Sequence, residues 1–213
     1  MASQRALEVR GSSRPPAVIL AGGLSRRMGG GDKALKPLGS GTLLSHVIAR
    51  LGAQVSSLAL NINGDARRFD VNLPGLADSI PDHPGPLAGI LAGMEWAAAT
   101  QADWIVTAAC DTPFLPADLV VRLCARQEET GAPIVLAASG PGGKPVMHPT
   151  FGLWSTALAP ALRRDITGGS RRIRDFAERA GLALAPFDGD PFFNVNTPED
   201  LDEARRRLAE YTS

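Results

Sequence analysis

Short apolar runs alternate with segments of helical periodicity along this chain, and the alternation restricts its fold more than any other feature. Buried strands are predicted at residues 17–21, 58–62, 104–109 and 133–138. Helices are predicted at residues 43–51, 87–100, 117–129 and 170–180, and a last helix is predicted from Thr197 onward, with Thr197 as its capping residue. Because strands that alternate with helices favour a parallel sheet covered on both faces, we predict an α/β fold. It is expected to be a single Rossmann-like, three-layer domain with a mostly parallel sheet and helices on both faces.

The composition is that of a globular chain without a dominant charge. Hydrophobic residues make up 44% of the 213 positions, and 22 basic side chains balance 22 acidic ones. No net charge therefore attracts nucleic acid or an anionic membrane, and any binding of phosphate must be local. No apolar run reaches the roughly 18 residues that span a bilayer.

The cysteines and the first residues indicate a compartment and a boundary. Cys110 and Cys124 form no CxxC motif or Cys/His cluster, which argues against a disulfide framework or a zinc site and favours a reducing, cytoplasmic environment. Residues 1–16 are mostly polar and lack the apolar stretch of a secretory signal. They are expected to be a flexible N-terminal extension, and the folded domain is expected to occupy residues 17–213.

A glycine-rich segment, Leu20 to Lys33, leaves the carboxyl end of the first predicted strand. Glycines let backbone N–H groups approach phosphate oxygens closely, and Arg26, Arg27 and Lys33 add compensating positive charge. The spacing matches neither the P-loop nor the dinucleotide-binding fingerprint. A surface turn with solvated arginines is the alternative. Ligands bind at the carboxyl ends of strands in open α/β sheets, and this position favours a phosphate site.

A single carboxylate, Asp111, follows the predicted strand at residues 104–109. In a parallel sheet it would face the same edge as the glycine-rich segment. Mg²⁺ usually takes one or two protein carboxylates together with substrate phosphates, so Asp111 is a candidate metal ligand. The alternative is that Asp111 caps the turn before Pro113.

Three arginines, Arg171, Arg172 and Arg174, fall in the predicted first turn of the helix that begins near Ser170. Positive charge at a helix N-terminus opposes the helix dipole, and a bound anion would reverse this effect. Gly168 and Gly169 would leave backbone N–H groups accessible in front of the helix. The pattern indicates a phosphate-binding surface, or else arginines that reach solvent or nearby acids.

Short motifs occur in a recognisable order along the chain. They are Leu20–Lys33, which fits LAGGxxxRMGGxDK, then Asn61–Asn63, Asp78, Pro84–Gly89, Cys110–Pro113, His148–Pro149 and Phe193–Glu199. Together they resemble the molybdenum cofactor guanylyltransferase family and span nearly all of the chain after residue 16. The resemblance implies transfer of GMP from GTP to the terminal phosphate of molybdopterin, with release of pyrophosphate and with Mg²⁺ as the cofactor.

The resemblance also implies roles for particular residues. GTP would be bound by Leu20, Ala21, Gly22, Gly23, Lys33, Asn61, Asp78 and Asp111. Lys33, Arg27 and Asp111 are the expected catalytic residues, and Asp111 is the expected Mg²⁺ ligand. Such a transfer needs alignment and offset of charge more than a nucleophilic side chain, which suits these residue types.

The acceptor, molybdopterin, is expected on the C-terminal half of the chain. The candidates there are Arg171 and Arg172, for a phosphate, and Asn194 and Asn196, which can donate to and accept from a polar pterin. Asp78 is compatible with reading the N1–H and N2–H₂ edge of guanine, with holding a ribose hydroxyl, or with capping a turn. His148 is either a neutral structural histidine or a ligand contact.

Several other functions share parts of this pattern. They are a cytidylyltransferase acting on the same acceptor, a sugar-phosphate nucleotidyltransferase, and a non-catalytic nucleotide-binding adaptor in cofactor hand-over. The segments Pro84–Gly89 and Phe193–Glu199 argue against the sugar enzymes, and the presence of both Lys33 and Asp111 argues against the adaptor. The expected partners are GTP, molybdopterin and, transiently, other proteins of cofactor biosynthesis, without nucleic acid or membrane.

Overall fold

A computed structural model describes residues 14–22, 32–80, 85–140 and 145–211. The strands in these ranges are β1 (Ala17–Leu20), β2 (Pro37–Leu38), β3 (Gly41–Thr42), β4 (Leu58–Asn61), β5 (Gly75–Leu76), β6 (Trp104–Ala109), β7 (Ile134–Ser139), β8 (Val146–Ser155) and β9 (Leu182–Phe187). The α-helices are α1 (Leu43–Gly52), α2 (Pro86–Ala99), α3 (Leu119–Thr130), α4 (Ala159–Thr167), α5 (Ile173–Ala180) and α6 (Pro198–Tyr211).

One large sheet organises the structure, with strand order β5-β4-β1-β6-β8-β7-β9. β8 is antiparallel to both β6 and β7, and the remaining neighbours in this sheet are parallel. The carboxyl ends of β1, β4, β5, β6, β7 and β9 therefore point to the same side, which we call the carboxyl edge. β2 and β3 form a separate antiparallel pair.

Helices cover both faces of this sheet. Ala17 and Ile19 of β1 pack with α1 and α3 on one face, while Val18 and Leu20 pack with α2, α4 and α5 on the other. β1 is buried on both sides, which explains why its sequence is continuously apolar rather than alternating. The predicted α/β fold, with a Rossmann-like three-layer arrangement and a mostly parallel sheet, is confirmed.

The last helix packs away from the two main cores. Leu201 and Ala204 of α6 contact Leu38, Leu43 and Phe114 in a small third cluster. This cluster attaches the C-terminal helix to the β2–β3 pair and to the loop that follows β6. It also fixes the segment that precedes α6 beside the carboxyl edge.

The structure adds elements that sequence periodicity did not predict: β5, β8, β9 and α4, and the β2–β3 pair. β8 contains Pro149 and Gly152, and its pairing with β7 shifts register between Leu136 and Ala137. An irregular strand of this kind lacks the period-2 pattern that predicts strands. The helix predicted from residue 170 begins instead at Ile173, and the helix predicted from residue 117 begins at Leu119.

The predicted boundary at residue 17 remains a prediction. Residues 1–13 lie outside the described ranges. Among the residues just before the boundary, the carbonyls of Pro15 and Pro16 accept hydrogen bonds from the backbone of Ser56 and Val106, at 3.2 and 2.9 Å. Within the described ranges, no helix has the length and apolar character needed to cross a membrane.

The close approach of α2 to β1 depends on glycine. A Cβ atom added at Gly93 would lie 2.5 Å from Val18 Cγ1 and 3.1 Å from Ile105 Cδ1, both in the buried core. We expect Gly93→Ala to lower the free energy of unfolding by about 1–3 kcal/mol, because the added methyl overpacks this contact. Urea denaturation of the variant measures the change.

Gly52→Ala is the matched control, since a Cβ at Gly52, the last residue of α1, meets no atom within 4 Å. Its free energy of unfolding should stay within about 0.5 kcal/mol of the parent value. Equal stability of the two alanine variants would contradict the tight packing of α2 on β1.

Candidate active site

An ion pair joins two of the predicted site residues at the carboxyl edge. Lys33 Nζ lies 2.6 Å from Asp111 Oδ2, and the two side chains are only 13% and 19% exposed. The same Lys33 ammonium donates to Asn196 Oδ1, also at 2.6 Å. One cation therefore connects the end of the glycine-rich segment, the loop after β6 and the segment before α6.

The loop after β6 is fixed to the C-terminal segment by two further contacts. The Val195 N–H donates to the Asp111 carbonyl at 2.9 Å. The fully buried Thr112 hydroxyl hydrogen-bonds to Asn194 Oδ1 and lies 3.3 Å from Asp111 Oδ1. Asn194 and Asn196, the predicted acceptor residues, are exposed and are thus brought beside Asp111, the predicted metal ligand.

A capping box at the start of α6 holds this C-terminal segment. The Asp200 N–H donates to Thr197 Oγ1 at 3.2 Å, and Asp200 Oδ2 accepts from the N–H groups of Asn196 and Thr197 at 2.8 and 2.9 Å. The bond from the Asn196 N–H is the main reason that the pKa of Asp200 is lowered. Thr197 was predicted to cap this helix, and it does so.

A second cluster lies on the β4–β5 side of the carboxyl edge. Asn61 Nδ2 donates to Asp78 Oδ1 at 2.9 Å, and Asn63 Nδ2 donates to Asp78 Oδ2 at 2.7 Å. Asn61 is 3% exposed, and it also donates to the Leu76 carbonyl at 3.1 Å. Both carboxylate oxygens of Asp78 are therefore held in place by amide groups.

Two glycines pack against this cluster. A Cβ at Gly89, in the first turns of α2, would lie 2.1 Å from Asn61 Oδ1, so the buried amide occupies the space of a missing side chain. A Cβ at Gly22 would lie 3.4 Å from Asn63 Nδ2 and 3.5 Å from Asn61 Oδ1. The structure thus brings together Gly22, Asn61 and Asp78, three of the residues predicted to bind GTP.

Leu20 and Ala21 contribute backbone groups at the same place. The Ala21 N–H donates to the Asn61 carbonyl at 2.9 Å, and the Leu20 carbonyl accepts from the Cys110 N–H at 3.3 Å. Both side chains are buried. The other predicted residues of the first loop, Gly23 and Arg27, lie outside the described residues.

Arg68 is a site-forming residue that sequence reasoning missed. Its Nε lies 2.6 Å from Asp32 Oδ2, and its Nη1 donates to the carbonyls of Asn63 and Asp65 at 3.2 and 2.7 Å. Arg68 therefore ties Asp32, the neighbour of Lys33, to the loop after β4. No spacing rule relates residues 32 and 68, since they meet only through the parallel pairing of β1 and β4.

The interpretation of the three arginines as one helical turn is wrong. Arg172 is the N-cap residue of α5, and only Arg174 lies in the first turn. Arg174 Nε pairs with Glu178 Oε1 at 2.6 Å, so its charge is offset within the helix rather than by an anion. This hydrogen bond to Glu178 raises the pKa of Arg174.

The N–H groups expected to be accessible before α5 are also in use. The N–H of Gly168 donates to the Arg164 carbonyl, and that of Gly169 donates to the Ile166 carbonyl, both at 2.9 Å. The prediction failed because the preceding helix α4, which was not foreseen, takes these groups as its C-terminal bonds. Arg171 and Arg172 remain exposed, and a Cβ at Gly85, just before α2, would lie 3.8 Å from the Arg171 carbonyl.

His148 and Cys110 have environments that keep them neutral. His148 Nε2 lies 2.7 Å from Ser139 Oγ, and its ring centroid is 4.4 Å from that of Phe192. Partial burial lowers the pKa of His148, which favours the neutral imidazole. Burial raises the pKa of the Cys110 thiol to about 12, so it is not a thiolate nucleophile at neutral pH.

The Lys33–Asp111 pair offers one carboxylate as a metal ligand. One carboxylate fits a cation that takes its remaining ligands from a bound substrate and from water. Among the residues that the structure describes, no group of three or more His, Cys, Asp or Glu side chains is placed to hold a metal ion. Mg²⁺ suits such a place, because it commonly takes one or two carboxylates together with phosphate oxygens and water.

The fold and this edge define a class of protein. Residues 17–186 match the family described as MobA-like NTP transferase domain. A solved structure of molybdopterin-guanine dinucleotide biosynthesis protein A from Archaeoglobus fulgidus superposes with a TM-score of 0.71, covering 92% of this chain and 99% of that chain. Its sequence identity is 24%, so this likeness supports the shared fold.

Two relatives that are similar over nearly their whole length identify the family within this class. A protein of Mesorhizobium japonicum named molybdenum cofactor guanylyltransferase is 49% identical over 205 residues, which cover 92% of this chain and 97% of the relative. A protein of Rhodopseudomonas palustris with the same name is 48% identical over 200 residues, which cover 90% and 92%. The chain therefore belongs to the molybdenum cofactor guanylyltransferase family, as its motifs predicted.

The capping box of α6 provides a stability test. We expect Asp200→Ala to lower the free energy of unfolding by about 1 kcal/mol at neutral pH, since two backbone N–H groups lose their acceptor. The folded pKa of Asp200 lies below its ordinary value of 3.8, so its contribution is present above that pH and is lost as the pH falls through the folded pKa. Urea denaturation between pH 7 and pH 3 measures the effect.

Asp202→Ala is the control, because Asp202 lies in the same helix and its side chain is 68% exposed beside Arg205. It should change stability by less than about 0.5 kcal/mol. A cost for Asp200→Ala that equals that of the control, or that grows as the pH falls, would contradict the capping role.

Proposed function

We propose that this protein is a Mg²⁺-dependent guanylyltransferase that transfers GMP from GTP to the terminal phosphate of molybdopterin and releases pyrophosphate. The observation that carries the proposal is the Lys33 ammonium, which contacts both Asp111 and Asn196 at 2.6 Å. This contact joins a candidate metal ligand to a candidate acceptor residue in a chain whose relatives are named molybdenum cofactor guanylyltransferase. We also propose a cytoplasmic location, in keeping with the free thiols of Cys110 and Cys124.

Nucleotide is proposed to bind along the carboxyl edge, from the first loop to the β4–β5 side. Leu20, Ala21, Gly22 and Gly23 would contact the nucleotide where the first loop leaves β1, and the two glycines would let backbone N–H groups approach its phosphates. Asn61 and Asp78 would lie at the nucleoside. The support is that Asn61 and Asn63 hold the Asp78 carboxylate in one orientation at this end of the edge. A carboxylate held in this way can accept from the N1–H and N2–H₂ edge of guanine or from ribose hydroxyls.

Mg²⁺ would be held by Asp111 together with the phosphates of GTP. When bound, it would offset negative charge on the phosphates as the pyrophosphate leaves. The position of Asp111 supports this role, since its backbone is tied to Val195 and its side chain is largely shielded from solvent.

The reaction needs positioning more than proton transfer. An acceptor phosphate oxygen, already ionised near neutral pH, would attack the α-phosphorus of GTP, and the bond from that phosphorus to the bridging oxygen of pyrophosphate would break. Lys33 would bring positive charge to the reacting phosphates, and the same role is proposed for Arg27. No nucleophilic role is proposed for Cys110, since burial raises the pKa of its thiol.

The acceptor is proposed to lie on the other side of Asp111. Asn194 and Asn196 would contact the pterin, since both are exposed and both are fixed to the residues around Asp111. Arg171 and Arg172 would contact its phosphate. Their support is exposure and the closeness of Arg171 to Gly85 at the start of α2, rather than the helix-dipole argument.

Removal of the Asp111 carboxylate should abolish transfer. We expect Asp111→Asn to lower turnover by about 100-fold or more while GTP binding changes much less, because the loss falls mainly on the transition state. Release of pyrophosphate in the presence of GTP, Mg²⁺ and molybdopterin measures turnover. Asp118→Asn is the control, since that carboxylate is 55% exposed and lies 3.5 Å from Arg122 on the surface.

Near-parental turnover of Asp111→Asn at saturating Mg²⁺ would reject the metal-binding role. A similar loss in Asp118→Asn would show that the assay responds to charge in general.

The acceptor side is tested with a pair of arginine variants. We expect Arg172→Ala to raise the apparent KM for molybdopterin by about tenfold, with little change in the KM for GTP, because one charge-assisted contact to the acceptor phosphate is lost. Arg174→Ala serves as the control, since Arg174 pairs with Glu178 and is 66% exposed. Equal effects on both substrates, or equal effects of both variants, would exclude a specific acceptor contact.

A further inference from the structure

Lys33 is held on Asp111 by more than a surface ion pair. The contact between Nζ and Oδ2 is 2.6 Å, and both side chains are largely shielded from solvent. Asn196 Oδ1 accepts from the same ammonium, and the Asn196 backbone is fixed by Asp200 at the start of α6. Exposed ion pairs contribute little to stability. The Lys33 ammonium, by contrast, is shielded and donates to Asp111 and Asn196, which come from distant parts of the chain.

This position of Lys33 has a consequence for any cation that approaches Asp111. The ammonium lies directly on Oδ2, so a divalent cation on that oxygen would meet a like charge at contact distance. The lysine also neutralises the charge of the carboxylate and thus lowers its attraction for cations. Divalent metal alone must therefore displace Lys33 without offering its ammonium a new partner.

A nucleoside triphosphate changes this balance. Its phosphate oxygens can accept from the Lys33 ammonium in place of Asp111, and they can complete the coordination of the metal. Metal and nucleotide together thus compensate both groups of the ion pair, whereas metal alone compensates only the carboxylate. Transfer of Lys33 to phosphate would also release Asn196 Oδ1 for the acceptor.

We propose that Lys33 acts as an internal competitor for the metal site, so that Asp111 takes a divalent cation together with nucleotide and only weakly without it. The inference deepens the proposed function and rests on it only in the assignment of Asp111 as the metal ligand. It makes Lys33 a residue that couples metal binding to nucleotide binding, in addition to its proposed role near the phosphates.

Binding of Mn²⁺ to the full chain in the absence of nucleotide tests the proposal. The free ion is measured by electron paramagnetic resonance during a titration. We expect Lys33→Met to bind Mn²⁺ about tenfold more tightly than the parent protein, because a contacting positive charge is removed. The double variant Lys33→Met with Asp111→Asn should lose this gain, which locates the ion on Asp111.

Two further variants make the comparison specific. Lys36→Met removes one positive charge three residues away on the same segment and should leave the Mn²⁺ affinity unchanged, so it controls for net charge. Lys33→Gln, which is neutral but keeps hydrogen-bonding groups toward Asp111 and Asn196, should also bind Mn²⁺ more tightly. It provides the test if Lys33→Met fails to fold, as judged by circular dichroism.

The outcomes separate this inference from the proposed function. Unchanged Mn²⁺ affinity in folded Lys33→Met and Lys33→Gln, or a gain that survives Asp111→Asn, overturns the inference even if the parent protein transfers GMP. A gain that depends on Asp111 supports it even if the acceptor proves not to be molybdopterin. An equal gain in Lys36→Met also overturns it, since general electrostatics would then explain the effect.

Discussion

The Lys33 ammonium is the interaction on which the geometry of the site depends. It hydrogen-bonds to Asp111, which lies 78 positions further along the sequence, and to Asn196, which lies 163 positions further along. Each partner is also fixed by backbone bonds: Asp111 by the end of β6 and its bond from Val195, and Asn196 by the capping box of α6. At the carboxyl edge, the hydrogen bonds of Lys33 therefore hold three separate parts of the chain together, and no single motif does so.

The two clusters at this edge divide the proposed work. On the β4–β5 side, amide groups and close-packed glycines hold Asp78, which gives a rigid surface suited to a nucleoside. On the other side, the exposed Asn194 and Asn196 lie next to Asp111. The end of β1 lies between the two clusters, because β1 is the strand between β4 and β6 in the sheet. The proposed transfer would take place there, between the two bound substrates.

The features that could be predicted from sequence are those that depend on local pattern. The buried run at residues 17–21 and the Thr197–Asp200 cap follow directly from residue types and spacing. β8 could not be predicted, because Pro149 and Gly152 interrupt its pattern and its pairing with β7 is irregular. The surroundings of the arginines before α5 could not be predicted either, because the nearby N–H groups of Gly168 and Gly169 complete the C-terminal bonds of α4.

In the candidate site, too, local sequence pattern predicted some features, and others depend on tertiary packing. Asp111 and Asn61 could be placed at the carboxyl edge because each lies at or just after the end of a buried strand. The contact between Lys33 and Asn196 could not be foreseen, because it depends on where α6 packs against Leu38 and Phe114. The Arg68–Asp32 pair joins two loops by tertiary contact alone. The roles of the site residues, including Gly23 and Arg27, remain predictions.

The most direct test of the account follows the α-phosphate of the nucleotide. The protein is incubated with Mg²⁺, molybdopterin and an equimolar mixture of GTP and CTP, each labelled at the α-phosphorus with a different isotope. The account predicts that the label from GTP appears in a pterin dinucleotide, with one pyrophosphate released for each transfer. Equal or greater incorporation from CTP, or pyrophosphate release without label in the pterin, would contradict it.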